Sequence, residues 1–271
     1  MRPTLSYFIC TTPRTGSNLL CEALRNTGVA GNPEEYFWDD ALPAWYERWG
    51  VSNFAQFLER MLVEGATPNG VFGAKVFAGD YLDDFLTHVR RLPQYSDPCL
   101  SLPALMSLMF PNLRHVWLTR RNKVRQAVSW WVAFQTKVWA VRSEKDERAM
   151  LQVFREVRNI SETRKQVPRY DFQKIDSLVQ EIVRREAWWQ GYFSEGEIKP
   201  FSVVYEDFAD SYEAVTRGLL QYLGRDSPRT AGSDKRILQK QSNEITEEWV
   251  QRYLEEKKTG WQPTWHTEGV L

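Results

Sequence analysis

Apolar residues return along the chain in two rhythms. Short runs rich in aromatic and β-branched residues, at 6–10, 71–77, 114–118 and 201–205, have the length and make-up of strands. Between and after them apolar positions recur at three-to-four spacing, which predicts helices over 17–26, 44–64, 81–91, 123–139, 147–165, 172–193, 212–223 and 245–256. Strands separated by helices imply parallel crossovers, so the expected fold class is α/β: a P-loop-like parallel sheet flanked by helices, with helical elaborations. Residues 224–235, crowded with Gly, Ser, Pro, Asp, Arg and Thr, read as a long surface loop able to close over a ligand.

Composition narrows this picture. At 271 residues and 42% hydrophobic content, one core suffices, and a single domain over 1–271 is expected. The 35 basic and 35 acidic residues cancel, so the chain offers no general field for nucleic acid or anionic membrane, and any anion must be held by a local pocket. Cys10, Cys21 and Cys99 form no C-x-x-C pair and support neither a disulfide framework nor a zinc site. The apolar opening at 5–10 is too short for a signal sequence. The apolar stretch 99–110 is broken by Ser101, Pro103 and Ser107 and falls well below the roughly 20 residues of a membrane span. The expectation is a cytoplasmic protein with no membrane span and no bound metal.

The strongest local signal is Thr11-Thr12-Pro13-Arg14-Thr15-Gly16-Ser17-Asn18, placed between a strand and a helix. Such a turn aims backbone N–H groups and a helix N-terminus at one spot, which suits a phosphate or sulfate. Against G-x-x-x-x-G-K-[ST], Gly16 fits the second glycine, while Ser17 replaces the lysine and Asn18 the magnesium-binding hydroxyl. A triphosphate usually needs a metal, whereas a sulfuryl group carries little charge. Arg14 can supply the cation, its planar fork pairing with two oxygens of a 5′-phosphate as the sulfate departs. The plainer alternative is an ordinary turn with a solvated arginine.

A second basic element, Leu118-Thr119-Arg120-Arg121-Asn122-Lys123, ends a strand and opens a helix bearing Gln126 and Ser129. Arginine at the strand end and serine two turns on can converge on one phosphate; a solvated helix start is the alternative. Both elements belong to the carboxyl edge of the sheet, where open α/β folds bind ligands.

At these residues the sequence resembles the sulfotransferases that use 3′-phosphoadenosine-5′-phosphosulfate (PAPS), and more closely the trehalose 2-sulfotransferase family. The stretches that carry the likeness are Thr12-Pro-Arg-Thr-Gly-Ser-Asn-Leu-Leu20, Thr27-Gly-Val-Ala-Gly-Asn-Pro-Glu-Glu-Tyr-Phe37, Asn69-Gly-Val-Phe-Gly-Ala-Lys75, Arg125-Gln-Ala-Val-Ser-Trp130 and Glu248-Trp-Val-Gln-Arg-Tyr253. The resemblance implies sulfuryl transfer from PAPS, leaving PAP, to a hydroxyl of a small acceptor, a sugar such as trehalose or a glycolipid. It implies a 5′-phosphosulfate loop of Arg14, Thr15, Gly16, Ser17 and Asn18, a 3′-phosphate site drawn from Arg120 or Arg121 with Ser129, and a homodimer. It also implies a carboxylate base after a Gly-x-Pro turn, which here falls on Glu35, with Glu34 as the neighbouring control.

An attacking hydroxyl must lose its proton, so a pocket carboxylate is what the chemistry asks for. Pro13, Asn32, Pro33, Glu34, Glu35, Tyr36, Phe37 and Lys75 form the candidate acceptor side, with Lys75 a second cation for the sulfate or else a surface lysine. Aromatic rings at Tyr36, Phe37 and Trp38 can pack against sugar C–H faces or belong to the core. Pro13 stands where the trehalose enzymes carry an amide, and Asn32 where they carry a carboxylate, which points towards a different acceptor. His88, His115 and His266 fall in no matching motif and are set aside as bases. Two other readings compete: an ATP-dependent small-molecule kinase, against which Ser17 and Asn18 count, and a non-catalytic binding protein on the same fold.

Overall fold

The computed structural model describes residues 2–136, 139, 168–226 and 244–260. The expected helix over 147–165, most of the 224–235 loop and His266 lie outside the described residues. In chain order the elements are β1 (Leu5–Thr11), α1 (Ser17–Asn26), α2 (Leu42–Trp49), α3 (Phe54–Glu64), β2 (Val71–Phe77), α4 (Asp80–Arg90), α5 (Leu102–Met109), β3 (Arg114–Thr119), α6 (Lys123–Thr136), α7 (Phe172–Glu195), β4 (Phe201–Val204), α8 (Tyr205–Asp210), α9 (Tyr212–Tyr222) and α10 (Glu244–Gly260).

β1 is buried along its whole length because its two faces serve two cores. Leu5, Tyr7 and Ile9 pack with Leu20 and Leu24 of α1 and Leu219 and Leu220 of α9. Phe8 and Cys10, the alternate positions, join Phe72, Ala74 and Val76 of β2, Phe85 of α4 and Trp189 of α7. Strand alternation thus sorts the sequence into layers on the two sides of the sheet. A third cluster joins α6, α7 and α10 through Val128, Ile182, Trp249 and Tyr253.

Among the described residues the sheet has four strands, all parallel, in the order β2-β1-β3-β4. The chain leaves β1 towards β2 on one side and returns to β3 on the other, so a topological switch point lies between the carboxyl ends of β1 and β3. The α/β expectation is therefore met, and the order of strands sets where a ligand is expected.

Three helical boundaries differ from the sequence pattern. The helix expected over 44–64 is two, because Gly50 turns left-handed (φ 63°) and Asn53 caps a fresh start by accepting from the Gln56 N–H at 3.0 Å. The apolar stretch at 99–110 contains α5: Ser101 caps it, and Pro103 falls in the first turn, where no backbone donor is needed. Tyr205 opens α8 and does not close β4. Among the described residues no helix is long and apolar enough to cross a membrane.

His115, near the amino end of β3, is buried against Phe8 and Phe193 and shares a 3.1 Å hydrogen bond with the Tyr192 hydroxyl. Burial pushes its pKa down to about 4. Below its unfolded value near 6.5 the unfolded chain takes up a proton that the folded chain refuses, so this contribution is complete above pH ~6.5 and lost as pH falls towards 4. Urea unfolding between pH 7 and 4 should show a loss of about 3 kcal/mol that a His115→Gln variant lacks.

Candidate active site

The strand-to-helix turn after β1 has the geometry of an anion cradle. Arg14 (φ 67°) and Gly16 (φ 82°) both turn left-handed, a pattern that directs successive N–H groups inwards. No side chain caps the start of α1; the Leu19 and Leu20 N–H groups turn back to the Gly16 carbonyl at 3.0 and 3.3 Å, and the helix start ahead of them is the kind of terminus that receives an anion. A left-handed arginine costs of order 1 kcal/mol, and the surroundings hold it there. Gln126 of α6, fully buried, donates to the Thr12 hydroxyl at 2.8 Å and to the Pro13 carbonyl at 2.7 Å. Thr11 ties the turn to β3 by donating to the Leu118 carbonyl at 2.9 Å. Only glycine fits at position 16, since a Cβ there would lie 2.3 Å from the Tyr205 ring.

The two basic turns meet. Arg120 donates to the Arg14 carbonyl at 3.1 Å, and Arg14 Nε donates to the Ser129 hydroxyl at 3.0 Å, with a further bond from Arg14 Nη1 to the Trp139 carbonyl. Burial, together with the neighbouring Arg120 charge, presses the Arg14 pKa down to about 10, and burial lowers that of Arg120 as well. Two partly buried cations side by side repel each other and gain from a polyanion placed between them.

Arg120 and Arg121, adjacent in sequence, have opposite fates. Arg120 lies over the Tyr205 ring, 4.8 Å from its centre. Arg121 has a side chain 63% exposed and spends its guanidinium in two bonds to Asp207, at 2.8 and 3.0 Å. Of the two candidates for the 3′-phosphate, the fold brings Arg120 to Arg14 and leaves Arg121 at the surface. Glu206 fixes this turn by accepting from the Arg121 and Asn122 N–H groups at 2.9 and 3.3 Å. Burial alone would raise the Glu206 pKa, but these donors and the Arg120 charge outweigh it and hold it low.

The proposed base sits on a loop strapped to the edge strand β2. Gly31 (φ 74°) passes so near that a Cβ would fall 2.7 Å from the Gly73 nitrogen. The Lys75 N–H donates to the Glu34 carbonyl at 2.9 Å, adding a one-bridge parallel strand. Glu34 is paired with Arg25 of α1, whereas Glu35 is paired with Lys75. Lys75 in turn donates to Asn18 Oδ1, at the start of α1, at 2.6 Å. The alternative of a surface lysine is overturned, since Lys75 is 4% exposed.

Other acceptor-side expectations change with burial. Tyr36 and Phe37 are each 3% exposed and belong to the core, with Tyr36 donating to the Asn32 carbonyl at 2.7 Å. Their rings have no face left for a sugar. The Asn32 side chain braces its own loop by donating to the Glu64 carbonyl at 3.0 Å, and the Pro33 carbonyl accepts from Arg25 at 3.1 Å. Pro13 is buried, its carbonyl held by Gln126.

Comparison with known proteins decides the family. The model described as Stf0 sulphotransferase matches residues 6–256, nearly the whole chain. The protein belongs to the Stf0 sulphotransferase family. This Stf0 chain is 28% identical to the trehalose 2-sulfotransferase of Mycolicibacterium smegmatis, over 92% of its own length and 94% of the relative's. Against the trehalose 2-sulfotransferase of Mycobacterium tuberculosis the identity is also 28%, covering 94% and 96%. Its backbone is similar to a sulfotransferase from Alicyclobacillus acidocaldarius at TM-score 0.46 and 14% identity, covering 94% and 92%.

Sequence reasoning missed Tyr205 and Glu206. Their signal is positional: Tyr205-Glu206-Asp207 comes directly after the β4 run, at the same carboxyl edge as the two basic turns. Among the described residues no group of three or more His, Cys, Asp or Glu side chains gathers to hold a metal ion.

Proposed function

We propose that this Stf0 sulfotransferase uses PAPS as donor and passes its sulfuryl group to a sugar hydroxyl, with Glu35 as general base. The observation that carries the donor assignment is the bond from Arg120 to the Arg14 carbonyl, which makes one cationic seat from two distant turns. A nucleotide with a phosphate at each end of its ribose is the ligand such a pair fits. The uncapped N-terminus of α1 and the left-handed Arg14 and Gly16 suit the 5′ end, and Arg120 with Ser129 the 3′ end.

PAPS supplies a sulfuryl group already activated by its phosphate leaving group. The chain's part is placement and charge. The α1 N-terminus and Arg14 stabilise charge that builds on the departing 5′-phosphate, and Glu35 takes the acceptor proton. The names of both relatives support trehalose as the first acceptor to try, while Pro13 and Asn32 depart from the trehalose pattern and favour a wider sugar panel.

Two measurements test this. At a PAP concentration 100 times its Kd, stability should rise by about 2.7 kcal/mol, a Tm shift of about 5–10 °C for a chain of this size. Radiolabelled PAPS offered with trehalose, other sugars and glycolipids should yield a labelled sugar. No Tm response to PAP and no labelled product would contradict the proposal, and magnesium-dependent ATP turnover would favour the kinase reading.

A further inference from the structure

Lys75 is fully committed on three sides. Its ammonium pairs with Glu35 Oε1, donates to Asn18 Oδ1 at 2.6 Å and lies 5.4 Å from the centre of the Phe77 ring. Lys75 and Phe77 are two apart on β2, so both side chains point to the layer that holds α1. The backbone of Lys75 holds the same loop that its side chain holds, through the N–H bond to the Glu34 carbonyl at 2.9 Å. With Lys75 4% exposed and the Glu35 side chain 20% exposed, the pair is screened from bulk water far more than a surface ion pair.

The geometry points to Lys75 as the positioning residue that sets the Glu35 carboxylate against the donor turn. One ammonium joins a residue of the acceptor loop to a residue of the phosphate turn, so the place of the base and the place of the donor are fixed together. A glutamate left to its own rotamers covers several ångströms. A base must come within about 2.6–3.2 Å of the proton it removes, and a misplacement of about 1 Å can cost ~100-fold in rate. The inference rests on Glu35 being the base, and it concerns how that base is held.

A double-mutant cycle separates the two ideas. Lys75→Met should lower kcat about 10–100-fold while PAP affinity measured by calorimetry stays within about twofold. In a Glu35→Gln background the same change should cost nothing further, because the group it positions is already gone. Lys75→Arg, which keeps the charge, should recover part of the loss. Lys75→Gln, which retains a donor for Asn18, repeats the cycle if methionine at this site melts the fold. A Lys75 loss that multiplies with that of Glu35→Gln, a PAP affinity that falls in parallel with kcat, or a Lys75→Met enzyme of normal rate would each overturn the assignment. A normal rate in Glu35→Gln alone would instead remove the base reading on which it stands.

Discussion

Glu35→Gln should lower kcat roughly 10²–10⁴-fold and leave PAP affinity nearly unchanged, as loss of a general base without loss of the donor seat requires. Glutamine keeps the size of the side chain and can still accept from Lys75, so the loop should stay in place, while Tm should fall because the buried ammonium loses its counter-charge. Glu34→Gln is the matched control. Its carboxylate is engaged by Arg25 and not by Lys75, so it should weaken packing while sparing chemistry, visible as a lower Tm at near-normal kcat. Steady-state rates with labelled PAPS, paired with thermal melts, separate the outcomes. A Glu35→Gln enzyme turning over normally would take Glu35 out of the mechanism.

Arg14→Ala should lower kcat/KM about 10²–10³-fold if, as proposed, its guanidinium stabilises the charge that develops on the donor's 5′-phosphate. Arg14→Lys should recover little, because an ammonium cannot reproduce the fork that reaches Ser129 and a phosphate at once. The stability signature is sharper. Arg14 is a partly buried cation whose pKa is pressed down to about 10 by desolvation and by Arg120. It is protonated at neutral pH, so its desolvation is a cost that the folded chain sheds only as pH rises past 10, or when an anion binds. The free Arg14→Ala protein should therefore melt close to the parent while losing most of the Tm rise that PAP gives the parent. A variant that loses stability without losing the PAP response would show Arg14 to be structural.

How far the sequence reached is clearest at individual residues. Each of the four described strands announced itself by a short aromatic or β-branched run, and the turn at 11–18 by its place between strand and helix, because these are local signals. Arg120 and Arg121 carry no local difference. Their fates are decided by Tyr205, Glu206 and Asp207, which arrive 85 or so positions later from the end of β4. Lys75 reads as a surface residue by type, and only its register on β2, facing α1, buries it. Tyr36 and Phe37 follow Glu35 directly, yet the bend of the loop sends both rings into the core. Residues 102–109 hid their helix behind Pro103, which is disruptive in a helix interior and harmless in a first turn.

The central claim is that two arginine-bearing turns hold the two phosphate ends of one adenosine nucleotide, with no magnesium between them. Titration calorimetry of PAP in the presence of EDTA tests it most directly. The account predicts one site per chain whose affinity is unchanged by the chelator, falls at least about tenfold in both Arg14→Ala and Arg120→Ala, and is unaffected in Arg121→Ala. Absence of heat at millimolar PAP, binding that requires magnesium, or an affinity that depends on Arg121 and not on Arg120 would contradict it.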